Sequence, residues 1–360
     1  MNVYEELRQI LDAHPSGAPK SNAFDEILKT LYTPEEATLA VRMSFKPKSA
    51  EAIAQTAGLP VDVVRNMLEG MCERGVIFSR DKKGVRSYGL LPTIPGLFEF
   101  PFMRGETGPM EEKLAMLWEE YHQEALGEAF SGNPSPAMRV IPVEKSLASE
   151  THVHPYEEVA RLIEETDYRA LTNCACRVSL NRCDAPLEVC LSFGDMGRFL
   201  VERGFSREIS KEEAMRVLDL CEEAGLVHTS NNSADKANLI CNCCPCCCSI
   251  LRGRTELDNP HAFATSTYEA RIDIDGCTGC GICADDRCPM KAIEIIDDVA
   301  VLTPERCIGC GLCVSACPID AIELIKRKEP PEIFATGQEL TMKMAEEKGK
   351  LDAFFRVLQR

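Results

Sequence analysis

Along the first 45 residues apolar positions recur every three to four places, a spacing that predicts helices, among them Val3–Ala13 and Pro34–Phe45. Glu35 and Glu36 fall in the first turn of the second, where the helix dipole favours them. A short helix over Ala50–Thr56 should break at Gly58, and a second starts at Pro60. Its apolar residues Val64, Met67, Leu68, Met71 and Cys72 follow the spacing of a buried face. The pattern then changes period: Val76-Ile77-Phe78, the polar Asp81-Lys82-Lys83-Gly84 and Val85–Leu90 predict a β-hairpin. Prolines 92, 95 and 101, set among Phe98, Phe100 and Phe102, predict an extended connector. Met110–Ala129, carrying the single tryptophan Trp118, reads as one amphipathic helix. Ser131–Pro155 is rich in Gly, Ser and Pro and marks a boundary.

Residues 49–90, in the order helix, turn, helix, hairpin, resemble a winged helix. That resemblance implies DNA binding, so the local charge matters. The stretch holds six basic residues (Arg65, Arg74, Arg80, Lys82, Lys83, Arg86) against five acidic ones (Glu51, Asp62, Glu69, Glu73, Asp81), and only the hairpin tip is basic. A packing or protein-docking role is the expectation over DNA contact. At an offset of 150 residues, Ser210-Lys211-Glu212-Glu213 forms a capping-box pattern. Ala214, Val217, Leu218 and Cys221 then match Val64, Met67, Leu68 and Met71, and Gly225-Leu226-Val227 matches Gly75-Val76-Ile77, so an internal repeat of this unit is a further expectation. Gly337–Gln359 reads as a surface helix.

Cysteine changes the picture. Of 20 cysteines in 360 residues, 19 lie between Cys174 and Cys317. An evenly stapled secreted fold would not crowd them so, and the N-terminus has no basic-then-apolar leader pattern. The chain is therefore expected in the cytoplasm, with thiols serving as metal ligands. No apolar run reaches the roughly 18 residues a membrane span needs. The net charge of −17 repels phosphate backbones, so nucleic acid is not an expected partner.

From Asp275 the chain reads Gly276-Cys277-Thr278-Gly279-Cys280-Gly281-Ile282-Cys283, then Cys288-Pro289. Thirty residues on it returns as Cys307-Ile308-Gly309-Cys310-Gly311-Leu312-Cys313, then Cys317-Pro318. These residues resemble the bacterial two-cluster ferredoxins, whose run is C-x2-C-x2-C-x3-C-P and whose fourth Cys ligates the other cluster. Carried over, the resemblance implies one [4Fe–4S] cluster on Cys277, Cys280, Cys283 and Cys317 and a second on Cys307, Cys310, Cys313 and Cys288. One departure stands out: four residues, Ala284–Arg287, separate the third and fourth Cys of the first run where the family has three. Acidic surroundings disfavour an added electron, so low potentials suited to anaerobic metabolism are expected.

Ten further cysteines form two arrays. Cys174, Cys176, Cys183 and Cys190 can close around one centre, as a third iron–sulfur cluster, structural zinc or free redox thiols. Cys241, Cys243, Cys244, Cys246, Cys247 and Cys248 follow. The two arrays are expected to meet in space, with ligands for one or two further iron–sulfur clusters or a zinc ion, though chain order does not pair them. The alternative is a thiol-rich loop bridging to another subunit. The whole pattern, from Asn173-Cys174-Ala175-Cys176-Arg177 onward, is similar to multi-cluster 4Fe–4S binding proteins of anaerobes, which implies electron transfer without naming a substrate. His152 and His154 sit in a polar linker, and Cys72 and Cys221 on apolar helical faces. No phosphate loop, dinucleotide fingerprint or Ser/His/Asp pattern is present, so no bond-breaking chemistry is expected of this chain itself.

These readings describe an α+β multidomain protein: a helical and winged-helix-like part (1–104), a helix and linker (105–155), a Cys-rich helical and winged-helix-like middle (156–265), a 2[4Fe–4S] ferredoxin domain (266–328) and a helical tail (329–360). It would pass single electrons to or from a partner oxidoreductase. The alternatives are a redox-sensing DNA-binding regulator and an iron–sulfur component of a larger reductase.

Overall fold

The computed structural model describes residues 2–131, 134–147 and 159–360, so His152 and His154 lie outside the described residues, as does much of the proposed 131–155 boundary. Three helices open the chain: α1 (Val3–Asp12), α2 (Asn22–Leu31) and α3 (Pro34–Ala40). Each begins on a side-chain cap, respectively Asn2, Ser21 and Thr33, and Thr33 completes a capping box with Glu36. The helix expected to reach Phe45 ends at Ala40. Helices α4 (Ala50–Ala57) and α5 (Val61–Glu73) follow, and Gly58 ends α4 in the left-handed region at φ 68°. Strands β1 (Ile77–Lys82) and β2 (Val85–Leu90) then form the expected hairpin, in register from Ile77↔Leu90 to Lys82↔Val85. Its two-residue turn, Lys83-Gly84, has both φ values positive, which matches the twist of the strands.

A short α6 (Phe100–Met103) leads to α7 (Pro109–Tyr121), which runs through a wider turn at His122–Leu126 into α8 (Gly127–Ser131). The ring of Tyr121 stacks on Phe24 at 4.6 Å and Trp118 meets the edges of Phe24 and Phe98, so this helix completes the N-terminal core.

The middle of the chain is built on a six-stranded antiparallel sheet, where the sequence pattern suggested mainly helix. In chain order its elements are β3 (Met138–Val140), α9 (Val159–Glu164), β4 (Arg169–Asn173), α10 (Ala175–Leu180), β5 (Glu188–Phe193), α11 (Gly194–Glu202), β6 (Arg207–Glu208), α12 (Lys211–Glu223), β7 (Val227–Asn231), β8 (Leu239–Cys243) and α13 (Ser249–Thr255). The spatial strand order is β3-β7-β8-β5-β4-β6. The segment α12-Gly225-β7-β8 repeats α5-Gly75-β1-β2: Gly225 and Gly75 take φ 70° and 69°, and Leu226 and Val76 donate back to Cys221 and Met71. The second hairpin is absorbed into the large sheet. The first packs on α11, with Phe78 against Phe199 at 5.2 Å. Cys72 and Cys221 are fully buried, one in each copy.

The last module pairs its outer strands, β9 (Tyr268–Ile272) with β12 (Ile322–Lys326), and its inner strands, β10 (Ile293–Ile296) with β11 (Val299–Leu302). A single turn of helix, α14 (Leu312–Ser315), lies in its second half. Beyond it the predicted single helix divides into α15 (Gly337–Glu347) and α16 (Leu351–Leu358), separated at the left-handed Gly349. This tail folds back on the N-terminal core: Lys350 Nζ pairs with Asp12 at 2.8 Å and Phe354 packs against His14.

Candidate metal centres

Two hollows lie in the C-terminal module, each lined by four cysteines drawn from both halves. Cys277, Cys280 and Cys283 share one of about 320 Å³, counting space open to solvent, with Cys317. Cys307, Cys310 and Cys313 share one of about 360 Å³ with Cys288. Backbone N–H groups point at the sulfurs. Ala292 N lies 3.1 Å from Cys288 Sγ and Ala321 N 3.3 Å from Cys317 Sγ, the same i+4 contact in each half, while Ala300 N lies 3.4 Å from Cys277 Sγ. The tight loops depend on glycine. Gly279 and Gly309 have φ 63° and 67°, and a Cβ would sit 2.2 Å from Asp298 O at the first and 2.1 Å from Tyr268 O at the second. Burial raises the Cys310 thiol to about 12 and pushes Cys283 and Cys313 upward, so protons compete well here until a metal supplies positive charge. Apolar walls, four thiols per hollow and amide donors aimed at sulfur fit an iron–sulfur cluster in each.

The extra residue of the first run is taken up locally: Cys283–Arg287 form a π-type turn where the second half has ordinary α14. Arg287 then donates to the carbonyls of Glu222 and Glu223 at the end of α12, at 2.9 and 3.0 Å. The insertion thus docks the module onto the middle of the chain.

The two hollows face different surroundings. Around the second, Val143 N donates to Cys310 O (2.9 Å), Ser146 Oγ to Gly311 O (2.8 Å), Ser266 Oγ to Gly309 O (2.7 Å) and Arg327 Nη2 to Cys307 O (2.7 Å). Cys307, Cys310 and Cys313 are all buried. Cys280 is exposed, and Ile295 and Ile319 beside it lie open to solvent.

The ten middle thiols do come together, and they do so as two groups. Cys183, Cys244, Cys246 and Cys247 have all four sulfurs within 4.8 Å of one another. The other six close a ring of neighbours: Cys174 to Cys176, Cys248, Cys243, Cys241, Cys190 and back to Cys174. Each group draws on both arrays, so proximity in the chain does not decide membership. Cys241 and Cys243 alternate with Asn242 on β8, and period two puts them on one face. Asn242 is held on the other side, Nδ2 donating to Val189 O at 2.6 Å and Oδ1 lying 2.6 Å from His228 Nδ1. Bonds from Cys176 and Cys190 hold Cys174 well below the ordinary thiol range, and bonds from Cys241 and Cys248 bring Cys243 to about 7.

Arg177, present in the sequence reading only as the end of the Asn173-Cys174-Ala175-Cys176-Arg177 run, comes to lie against the thiols. It is 1% exposed, with Nη1 3.0 Å from Asn242 O and 3.7 Å from Cys244 Sγ, while its Nε and Nη2 find no partner among protein atoms. The Cys247 thiol, and this guanidinium, hold Cys244 down to about 4. A buried cation beside two thiol clusters is legible in the chain only as a basic residue one place after Cys176.

The crossed tetrads on paired inner and outer strands define an iron–sulfur module of the ferredoxin type, and residues 269–329 match the 4Fe–4S dicluster domain family. A ferredoxin of Methanothermococcus thermolithotrophicus is 44% identical over 54 residues, 14% of this chain and 88% of that protein, and through this segment the chain belongs to the ferredoxins. Two larger relatives share the same kind of region. One component of an ion-translocating oxidoreductase complex of Methanosarcina acetivorans is 45% identical over 49 residues, 14% of this chain and 18% of that one. One component of the ferredoxin:CoB-CoM heterodisulfide reductase of Methanosarcina mazei is 42% identical over 137 residues, 26% of this chain and 17% of that one. The chain therefore spans about a fifth of the length of these two. No solved structure matches it.

Proposed function

We propose that this protein passes single electrons to or from a partner oxidoreductase, holding two [4Fe–4S] clusters in its C-terminal module and further metal in the middle. The observation that carries the reading is the crossing of Cys317 and Cys288, each of which lines the hollow of the opposite half. Cys277, Cys280, Cys283 and Cys317 would hold one cluster, and Cys307, Cys310, Cys313 and Cys288 the other. Clusters so held supply one-electron redox chemistry at low potential. The chain's own part is to keep thiolates available, to aim amide N–H groups at sulfur, and to bury three thiols of one tetrad while leaving the other nearer solvent. The exposed Cys280 end carries Ile295, Ile296 and Ile319 near the exposed carboxylates Asp285, Asp297, Asp298 and Asp320. An apolar centre with an acidic rim suits a redox partner with a basic rim. Thiol ligands stay reduced in an anaerobic cytoplasm, which is where we place the protein.

The winged-helix-like unit is read as a docking element. Arg65 pairs with Glu51, Arg74 with Glu36, Arg80 with Asp195, and Arg86 with Glu202 and Glu69, which confines the remaining positive charge to the exposed Lys82 and Lys83 at the hairpin tip, a small patch for DNA. The second reading, a component of a larger reductase, gains weight from the six-thiol ring, which exceeds what one cubane needs. Among the described residues no helix is long and apolar enough to cross a membrane. Anaerobic purification with iron and sulfide counts and EPR of the reduced protein tests the proposal. At least about eight irons and two interacting spins per chain are expected. An iron-free chain would overturn it.

A further inference from the structure

Four of the ten middle thiols stand closer together than the corners of an iron–sulfur cube allow. Cys183 Sγ lies 3.7 Å from Cys244 Sγ, Cys246 Sγ lies 3.8 Å from Cys247 Sγ, and all four fall within 4.8 Å of one another. A single tetrahedral ion with metal–sulfur bonds of about 2.3 Å sets its sulfurs about 3.8 Å apart. A cubane carries each thiolate outward from a corner, to separations of about 6 Å. The C-terminal module provides an internal control. Its two tetrads surround open hollows, and among the described residues no group but the Cys183 set brings three or more potential ligand atoms this close.

We propose that Cys183, Cys244, Cys246 and Cys247 bind one zinc ion, separate from every iron–sulfur cluster. A closed four-thiolate shell is the structural type of zinc site, and at equal geometry a zinc ion outcompetes ferrous iron. Binding displaces the remaining thiol protons and leaves a centre of charge −2. Arg177 answers that charge: its buried guanidinium already touches Cys244, and two of its donors have no other protein partner. A buried cation of this kind is costly without an anionic neighbour.

The position of the site gives it a task. Cys183 lies in the loop between α10 and β5, so it is flanked by Cys176 and Cys190 of the six-thiol ring. Cys244, Cys246 and Cys247 lie between Cys243 and Cys248 of the same ring. One ion therefore ties together the two chain segments that supply the ring. Arg182, beside Cys183, reaches the Cys246 carbonyl at 3.5 Å across the same junction. The zinc acts as a staple that sets the ring's shape and takes no electron.

The inference rests on sulfur spacing and not on the electron-transfer reading, and its test separates the two. The full-length protein, purified without oxygen, is analysed for zinc and iron and by X-ray absorption at the zinc edge. The expected result is about one zinc per chain with four sulfur neighbours near 2.3 Å. Cys246→Ser, at a partly exposed ligand, should lose most of the zinc and leave the EPR of the module unchanged, whereas Cys280→Ser should lose iron and keep zinc. Zinc with oxygen or nitrogen neighbours, a mononuclear iron signal in its place, or a fall of about four irons in Cys246→Ser would each overturn the proposal. Should Cys246→Ser fail to fold, the zinc-edge spectrum of the unaltered protein decides alone.

Discussion

The two cysteine-rich regions hold their thiols by opposite means. In the C-terminal module the thiols are spaced by the backbone: left-handed glycines and short paired strands keep eight sulfurs apart around two hollows. In the middle they are gathered by tertiary structure, from a helix, two strands and two loops, into one compact group and one ring. Local geometry makes the first arrangement repeat in sequence. The second leaves no repeat, because the neighbours that join its two arrays, such as Cys183 and Cys244 or Cys176 and Cys248, lie far apart along the chain.

The largest test of that contrast is the crossing itself. Cys317→Ser should remove the cluster that Cys277 shares, and Cys288→Ser the one that Cys307 shares, each costing about four of the eight module irons. EPR would then show one isolated spin in place of a coupled pair. If either change instead removed the cluster nearest to it in sequence, the crossed arrangement would fail.

Glycine substitutions compare the regions on a smaller scale. At Gly309 a Cβ would meet Tyr268 O at 2.1 Å and Ser266 Oγ at 2.2 Å, both in the stretch that opens β9 of the same module. Gly309→Ala combines this clash with the left-handed penalty and should cost about 3–4 kcal/mol. Gly225 has nearly the same backbone angle but open space, its nearest atoms lying at 3.8 Å. Gly225→Ala should cost only about 1 kcal/mol. Denaturant midpoints under anaerobic conditions measure both, and equal losses would show that strain, not the close approach, dominates at Gly309.

How much of this was legible follows from the same contrast. The C-x2-C-x2-C runs pointed to the ferredoxin type because they set three thiols in one tight loop, and the likeness of α12 to α5 was visible because a buried helical face has a period. The large sheet was hidden: its strands are two to six residues long, and β8 spends alternate positions on Cys241 and Cys243, which register as ligands before they register as a strand face. The division of ten thiols into four and six had no linear signal, since Cys244 and Cys243 are adjacent in the chain yet belong to different groups. The inserted residue before Cys288 was visible as a departure, but its use, carrying Arg287 to the end of α12, required the fold.

A last comparison uses protons. The module between Tyr268 and Lys326 contains no histidine, whereas the helical support of the middle does. His122 is 6% exposed, and burial, with Arg252 nearby, lowers its pKa to about 4. The folded protein therefore keeps this imidazole neutral where the unfolded chain, with a pKa near 6.5, already binds a proton. Stability contributed this way is intact above about pH 6.5 and is lost as pH falls toward 4, the loss reaching about 2 kcal/mol by pH 5. His122→Phe should remove that share of the acid sensitivity. Parent and variant carry the same clusters, so the difference between their denaturant midpoints at pH 7 and pH 5 isolates the imidazole. A parent and variant that weaken equally between those values would assign the acid response to other groups, the buried His14 and His228 included, whose pKa values burial also lowers.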